Sequence, residues 1–219
     1  MSEGPFGPVP GAPPRAGRRS PWTEAELAAL DFETTGLDLA TDRVISWGVV
    51  PIRRGGVELR DAAYRLVAPG TERSPGVESI RVHELRPTDL AEAPPLREVA
   101  GELRDALDGR YLVAWAAGIE IAFLRRMFGG SARAWKRRTI DVRQLAAAAV
   151  GPGGDARRLN LEAACRRFSV PVERTHHAFD DALMTAELLL VLVGHIEGEP
   201  ATVRKLFRTA RHGSAILRS

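Results

Sequence analysis

The stretch Leu30-Asp31-Phe32-Glu33-Thr34-Thr35-Gly36-Leu37 constrains this chain more than any other. It reads as a buried strand entering a tight turn, and residues two apart in a strand share a face. Asp31 and Glu33 therefore point the same way, with Leu30 and Phe32 on the opposite face. Two adjacent carboxylates repel each other, and burying them unpaired is costly enough that one would tend to hold its proton. A divalent cation removes the conflict, because Mg2+ takes oxygen ligands from a few carboxylates and waters. An isolated Asp-x-Glu is better explained as a solvated strand end. What weighs against that explanation lies at the far end of the chain.

At 219 residues the chain suits one domain of about 150–200 residues with tails, enough to bury a core. The formal charge of +3 divides into +2 for residues 1–20, +4 for residues 199–219 and −3 for the remainder. A mildly acidic body with basic ends suits a metal-loaded site that meets a polyanion through its periphery; solubility alone explains the same split. Cys165 is the only cysteine, which excludes intramolecular disulfides and cysteine-rich zinc sites. Residues 1–20 lack the apolar core of a signal peptide, and Leu188–Val193 is too short to span a bilayer. The expectation is a soluble, cytoplasmic protein without membrane contact.

Nine of the first twenty residues are Pro or Gly, so residues 1–20 are expected to be disordered, with a folded domain over 21–198 and a basic tail over 199–219. Strands are expected at about Leu27–Glu33, Val44–Ile52 and Val57–Val67, the last two joined by the Arg53–Gly56 turn as an antiparallel hairpin. Leu96, Val99, Ala100, Leu103 and Leu107 mark an amphipathic helix beyond Pro94-Pro95. A strand at Tyr111–Trp115, a helix at Gly118–Phe128 and a short strand at Thr139-Ile140 follow. Asp141 with Gln144 looks like an N-cap and capping-box pair, and Asn160 like the cap of a helix that Pro171 ends. The Gly151-Pro152-Gly153-Gly154 loop lacks the Lys and Ser/Thr of a phosphate loop and reads as a linker. A last long helix runs from about His177 to His195. A hairpin followed by alternating strands and helices implies an α/β fold, a mixed sheet covered by helices on both faces.

Two further places carry acids. In the helix from Gly118, Glu120 precedes Phe123, Leu124 and Met127 by three, four and seven residues and shares their inward stripe. Spacing alone balances that placement against a Glu120 that snorkels to water or caps its own helix. His176-His177-Ala178-Phe179-Asp180-Asp181-Ala182 opens a helix that is apolar nearly all round. Acids in the first turns of a buried helix are more at home in a site than on a surface. Helical geometry does not say whether Asp180 or Asp181 faces it.

Asp31-x-Glu33-Thr34-Thr35-Gly36, the Val113–Leu124 segment and His176-x-Ala178-x-x-Asp181, in that order, resemble the three motifs of the DEDDh 3′→5′ exonucleases. This is the group that contains the proofreading epsilon subunit of bacterial DNA polymerase III. Ile80-Arg81-Val82-His83 with Ala93-Pro94 resembles the family's His-containing loop, and the resemblance covers roughly residues 22–196. It implies a ribonuclease H-like fold with a mixed five-stranded sheet. It implies metal-dependent hydrolysis at a 3′ end, with two divalent cations, Mg2+ or Mn2+, and release of nucleoside 5′-monophosphates. By resemblance, Asp31, Glu33, Glu120 and Asp181 hold the metals, and the five-residue spacing from His176 selects Asp181. His176 becomes the general base, a role that suits its near-neutral pKa. Thr34, Thr35 and Leu37 match the turn that packs against the terminal nucleotide, and His83 matches a substrate-side position. The implied partner is a single-stranded 3′ end, DNA ahead of RNA; no polymerase-docking segment stands out.

The family reads Val-Ala-His-Asn-x-x-Phe-Asp where this chain has Val113-Ala114-Trp115-Ala116-Ala117-Gly118-Ile119-Glu120. The His-Asn pair is replaced, and the fourth acid gains a methylene, about an ångström of reach. The competing expectation is a decayed exonuclease fold kept as a nucleic-acid-binding or partner-docking module. An internally cutting ribonuclease H is disfavoured by the His176/Asp181 spacing.

Overall fold

A computed structural model describes residues 3–13, 16–36, 38–70, 84–151, 159–195 and 201–212. The expectations for Leu37, for His83 and its loop, and for most of the Gly151–Gly154 linker fall outside these residues.

The sheet is built around β1 (Leu27–Thr34), which pairs antiparallel with β2 (Val44–Arg53) on one side. On its other side it pairs parallel with β5 (Tyr111–Ala114), which pairs parallel with β6 (Thr139–Asp141). The far edge of β2 takes two short antiparallel segments, β3 (Gly56–Val57) and β4 (Ala63–Leu66). The expected Val57–Val67 strand is thus broken. A 3₁₀ turn at Leu59–Asp61 interrupts it, with the Glu58 side chain accepting from Arg60 N at 3.2 Å. Six segments therefore occupy five positions in the sheet. The Arg53–Gly56 turn places Arg54 and Gly55 at φ 52° and 77°, the left-handed geometry of a tight hairpin.

β1 is apolar on both faces because both are covered. Leu27 and Ala29 join Val50, Ile52, Tyr111, Val113 and Ile140 in one core. That core is closed by α7 (Ala178–Val193), α5 (Val142–Val150), α6 (Leu161–Arg167) and α8 (Val203–His212). Ala28, Leu30 and Phe32 face the other core, with α2 (Leu96–Leu107) and α3 (Gly118–Phe128). Asp31 and Glu33 continue the first face and so meet α7. Two short helices, α1 (Pro87–Leu90) and α4 (Ala132–Arg138), were not expected. Ser131 caps α4 by accepting from Ala134 N at 3.1 Å. No described helix is long and apolar enough to cross a membrane.

Both ends of the chain differ from expectation. Residues 3–13 lie as a strap along α2, α3 and α4. Phe6 N donates to Met127 O (3.1 Å), and Gly11 exchanges bonds with Asp108 Oδ1 (2.6 Å) and Gly109 N (3.0 Å). Gly4 sits so close to α3 that a Cβ there would lie 2.2 Å from Met127 O. The buried Arg138 guanidinium bonds Pro10 O (2.7 Å), Leu107 O (2.8 Å) and Arg110 O (2.8 Å). Phe6 and Val9 add apolar anchors. Prolines lower the conformational entropy that ordering such a segment must overcome, so two anchors and a few main-chain bonds hold it. Residues 203–212 are likewise a packed helix, with Val203, Leu206 and Phe207 buried and Arg204, Arg208 and Arg211 exposed.

Candidate active site

Four of the acids picked out in the sequence gather at the end of β1. Asp31 and Glu33 come from the strand, Glu120 from the first turn of α3 and Asp181 from the first turn of α7. Glu33 and Glu120 are buried, 9% and 4% exposed. Gly48 brings α7 in. It stands opposite Asp31 in the β1–β2 register, and a Cβ there would lie 2.3 Å from Ala178 O and 2.5 Å from Phe179 Cα. Only glycine lets the helix start rest on the sheet beside Asp31. Sequence reasoning did not single this residue out.

Electrostatics follow from that convergence. Burial, then the charges of Glu33, Asp181 and Glu120, hold the Asp31 carboxyl well above the ordinary carboxylate range. Burial and the Asp181 charge push Glu33 up to about 8, and burial with the Asp141 charge pushes Glu120 up to about 8. Asp181 is pushed up to about 7 by burial and by Asp180. Among the described residues, no Lys or Arg forms an ion pair with any of the four. Two buried oxygens, Glu120 Oε2 and Asp181 Oδ1, have no hydrogen-bond partner. Hard oxygen donors with excess negative charge and unfilled valences suit a divalent cation.

His176 stands at φ 59°, exposed, at the entry to α7. Its main-chain N–H donates to Asp181 Oδ2 at 3.2 Å. Side-chain ligand atoms of Glu33, His176 and Asp181 lie within 4.8 Å of one another. Their neighbours turn elsewhere. His177 Nδ1 lies 3.0 Å from Asp180 Oδ2, and the His177 ring stacks on Tyr64 at 4.6 Å between centroids.

Thr34 and Thr35 build the turn beyond Glu33. Thr34 Oγ1 donates to Gly36 O at 2.8 Å; Thr35 Oγ1 donates to Asp42 Oδ1 at 2.8 Å and accepts from Arg43 N at 3.0 Å. Trp115 packs against the first core, and Ala116 takes φ 52° in a tight turn closed by Gly118 N to Ala116 O at 2.5 Å.

Known proteins resemble the chain as follows. A family model described as exonuclease (RNase T) matches residues 28–189. The chain is 30% identical over 178 residues to a PolC-type DNA polymerase III of Thermotoga maritima, covering 80% of this chain but only 12% of that protein. It is 27% identical over 170 residues to the DNA polymerase III subunit epsilon of Treponema pallidum, covering 77% of each. The nuclease domain of 3′hExo, a DEDDh family member bound to rAMP, superposes at TM-score 0.64 and 13% identity, over 80% of this chain and 94% of that one. The mixed, helix-covered sheet is ribonuclease H-like.

Proposed function

The chain belongs to the exonuclease family, and from that premise we propose that it shortens single-stranded DNA from the 3′ end by divalent-metal-dependent phosphodiester hydrolysis. The observation that carries the reading is the meeting of four carboxyl groups at the end of β1, with His176 beside two of them and, among the described residues, no cationic side chain to balance them.

Asp31, Glu33, Glu120 and Asp181 would hold two cations, Mg2+ or Mn2+. When bound, such cations make a nucleophile available near neutral pH and stabilise the leaving oxygen. The chain's own residues do the rest. A His176 ring nitrogen takes the proton of the attacking water, and Asp181 fixes the His176 main chain through its N–H. The water oxygen bonds to phosphorus, the bond to the upstream 3′-oxygen breaks, and a nucleoside 5′-monophosphate leaves. Thr34 and Thr35 shape the turn against which the terminal nucleotide packs. Leu37 and His83 complete that side by resemblance. DNA is favoured because the relatives that match by sequence include DNA polymerase III proteins.

The test is a 5′-labelled single-stranded oligonucleotide, DNA and RNA, with Mg2+, Mn2+ or chelator. A ladder shortening from the 3′ end, absent in chelator and faster on DNA, is expected. Binding without cleavage in either metal would overturn the reading in favour of a decayed fold.

A further inference from the structure

Glu120 reaches the site from a helix whose start has little to hold it. α3 follows the turn Trp115–Gly118, which has Ala116 at φ 52°, and its N-cap position is Ala117, which offers no side-chain cap. An unsecured first turn leaves its N–H groups unsatisfied and the direction of its side chains loose. The His-Asn pair of the family pattern is absent here, so no polar side chain within this turn does the work.

Asp141 is placed to do it from the neighbouring strand. β5 and β6 run parallel with Ala114 opposite Asp141, so β6 ends where β5 enters the turn. The Asp141 carboxylate accepts from Gln144 N at 3.1 Å, which caps α5. The main-chain N–H groups of Ala117 and Arg143 also bear on this carboxylate and oppose the rise that burial causes in its pKa. One carboxylate thus caps its own helix and stands beside the start of α3, three residues before Glu120. Its charge is felt at Glu120, as that proximity requires. With Gln144 N bound to it, Asp141 is already engaged as an acceptor.

We propose that Asp141 is a positioning residue that aims Glu120 into the site by tying the Trp115–Gly118 turn to the end of β6. The inference rests on Glu120 acting as a metal ligand. Groups that orient a metal ligand typically change metal affinity 10–100-fold when removed.

The full chain is compared with Asp141→Ala, Asp141→Asn, Asp141→Ser and Asn160→Ala. Asn160 is an ordinary cap, accepting from Ala163 N at 2.8 Å, and serves as the control. Two readouts are taken against Mn2+ concentration: thermal stabilisation, and cleavage of labelled single-stranded DNA. Asp141→Ala should raise the Mn2+ midpoint about tenfold or more. Asp141→Asn, which keeps an acceptor oxygen, should restore most of it. Asn160→Ala should lower the metal-free melting temperature and leave the midpoint unchanged. Asp141→Ser keeps the α5 cap but falls short of Ala117, so it should behave like Asp141→Ala even if that variant does not fold. A wild-type midpoint in Asp141→Ser overturns the proposal. Shifted thermal midpoints without cleavage in any variant sustain it and overturn the exonuclease reading; cleavage with unshifted midpoints does the reverse. Absence of Mn2+ stabilisation in the wild type overturns both.

Discussion

At the scale of single residues, adjacent positions in the His176–Asp181 segment are assigned different work. His176 and Asp181 lie beside Glu33, whereas His177 and Asp180 pair with each other next to Tyr64. His176→Ala should lose on the order of 10²–10⁴-fold in rate, as for removal of a general base, and His177→Ala should be mild. Asp181→Asn should abolish metal-dependent cleavage and Asp180→Asn should not; single-turnover rates at saturating Mn2+ read both pairs. The raised carboxyls set a second expectation. Glu33 and Glu120 titrate at about 8 and Asp181 at about 7 in the metal-free fold, above the ordinary values of the unfolded chain, ~4. The folded state therefore holds protons that the unfolded state has released. Metal-free stability should be fullest below about pH 4 and fall as pH rises through about 8. Saturating Mn2+ should remove most of that fall, and melting curves in chelator and in metal check it. Asp31 and Glu33 were legible because strand periodicity puts them on one face. The choice between Asp180 and Asp181 was not legible in helical geometry, since both lie in one turn; it came from the resemblance, through the five-residue spacing from His176.

Elements were legible where hydrophobic period and caps agreed. The sequence placed α3 at Gly118–Phe128, as observed, and placed β1, β2 and α7 to within two residues at each end. Asp141 and Asn160 cap the helices expected of them. What it did not disclose was how elements approach one another. Gly48 sits inside an apolar strand, where nothing local distinguishes a packing glycine from a neutral one. Gly48→Ala would force α7 off the sheet, because the new methyl meets main chain rather than a yielding side chain. Overpacking of this kind costs roughly 1–3 kcal/mol, and here it should also reduce cleavage by displacing Asp181. Denaturant unfolding and rate, measured on the same variant, should fall together; unchanged values in both would show that α7 tolerates the extra atom. α8 was obscured for a different reason. Val203, Leu206, Phe207 and Ala210 recur at helical spacing, but four basic residues over the same span gave it the look of a solvated tail.

Over the whole molecule, charge is arranged more definitely than composition suggested. Arg53, Arg65, Arg166 and Arg174 each pair with an acid. Among the described residues, no acid pairs with Arg204, Arg208 or Arg211 on the outer face of α8. That helix is part of a core, so its contribution must be tested by substitution rather than deletion. Phe207 meets Tyr111 edge to face at the start of β5, which puts α8 at the opposite end of the strands from the carboxylates. Replacing all three arginines by Gln should flatten the salt dependence of binding to long single strands, by about 0.7 in the log–log slope for each phosphate no longer neutralised. Oligonucleotides of about four residues should not feel the change, and identical slopes for long strands would reduce the stripe to a solvated surface. The same end of the molecule has one more property. Trp22 N donates to Ala201 O at 2.9 Å and Pro21 bridges Thr202, so the segment that leads into β1 and the segment that leads into α8 are stitched to each other, and loosening one unpicks the other.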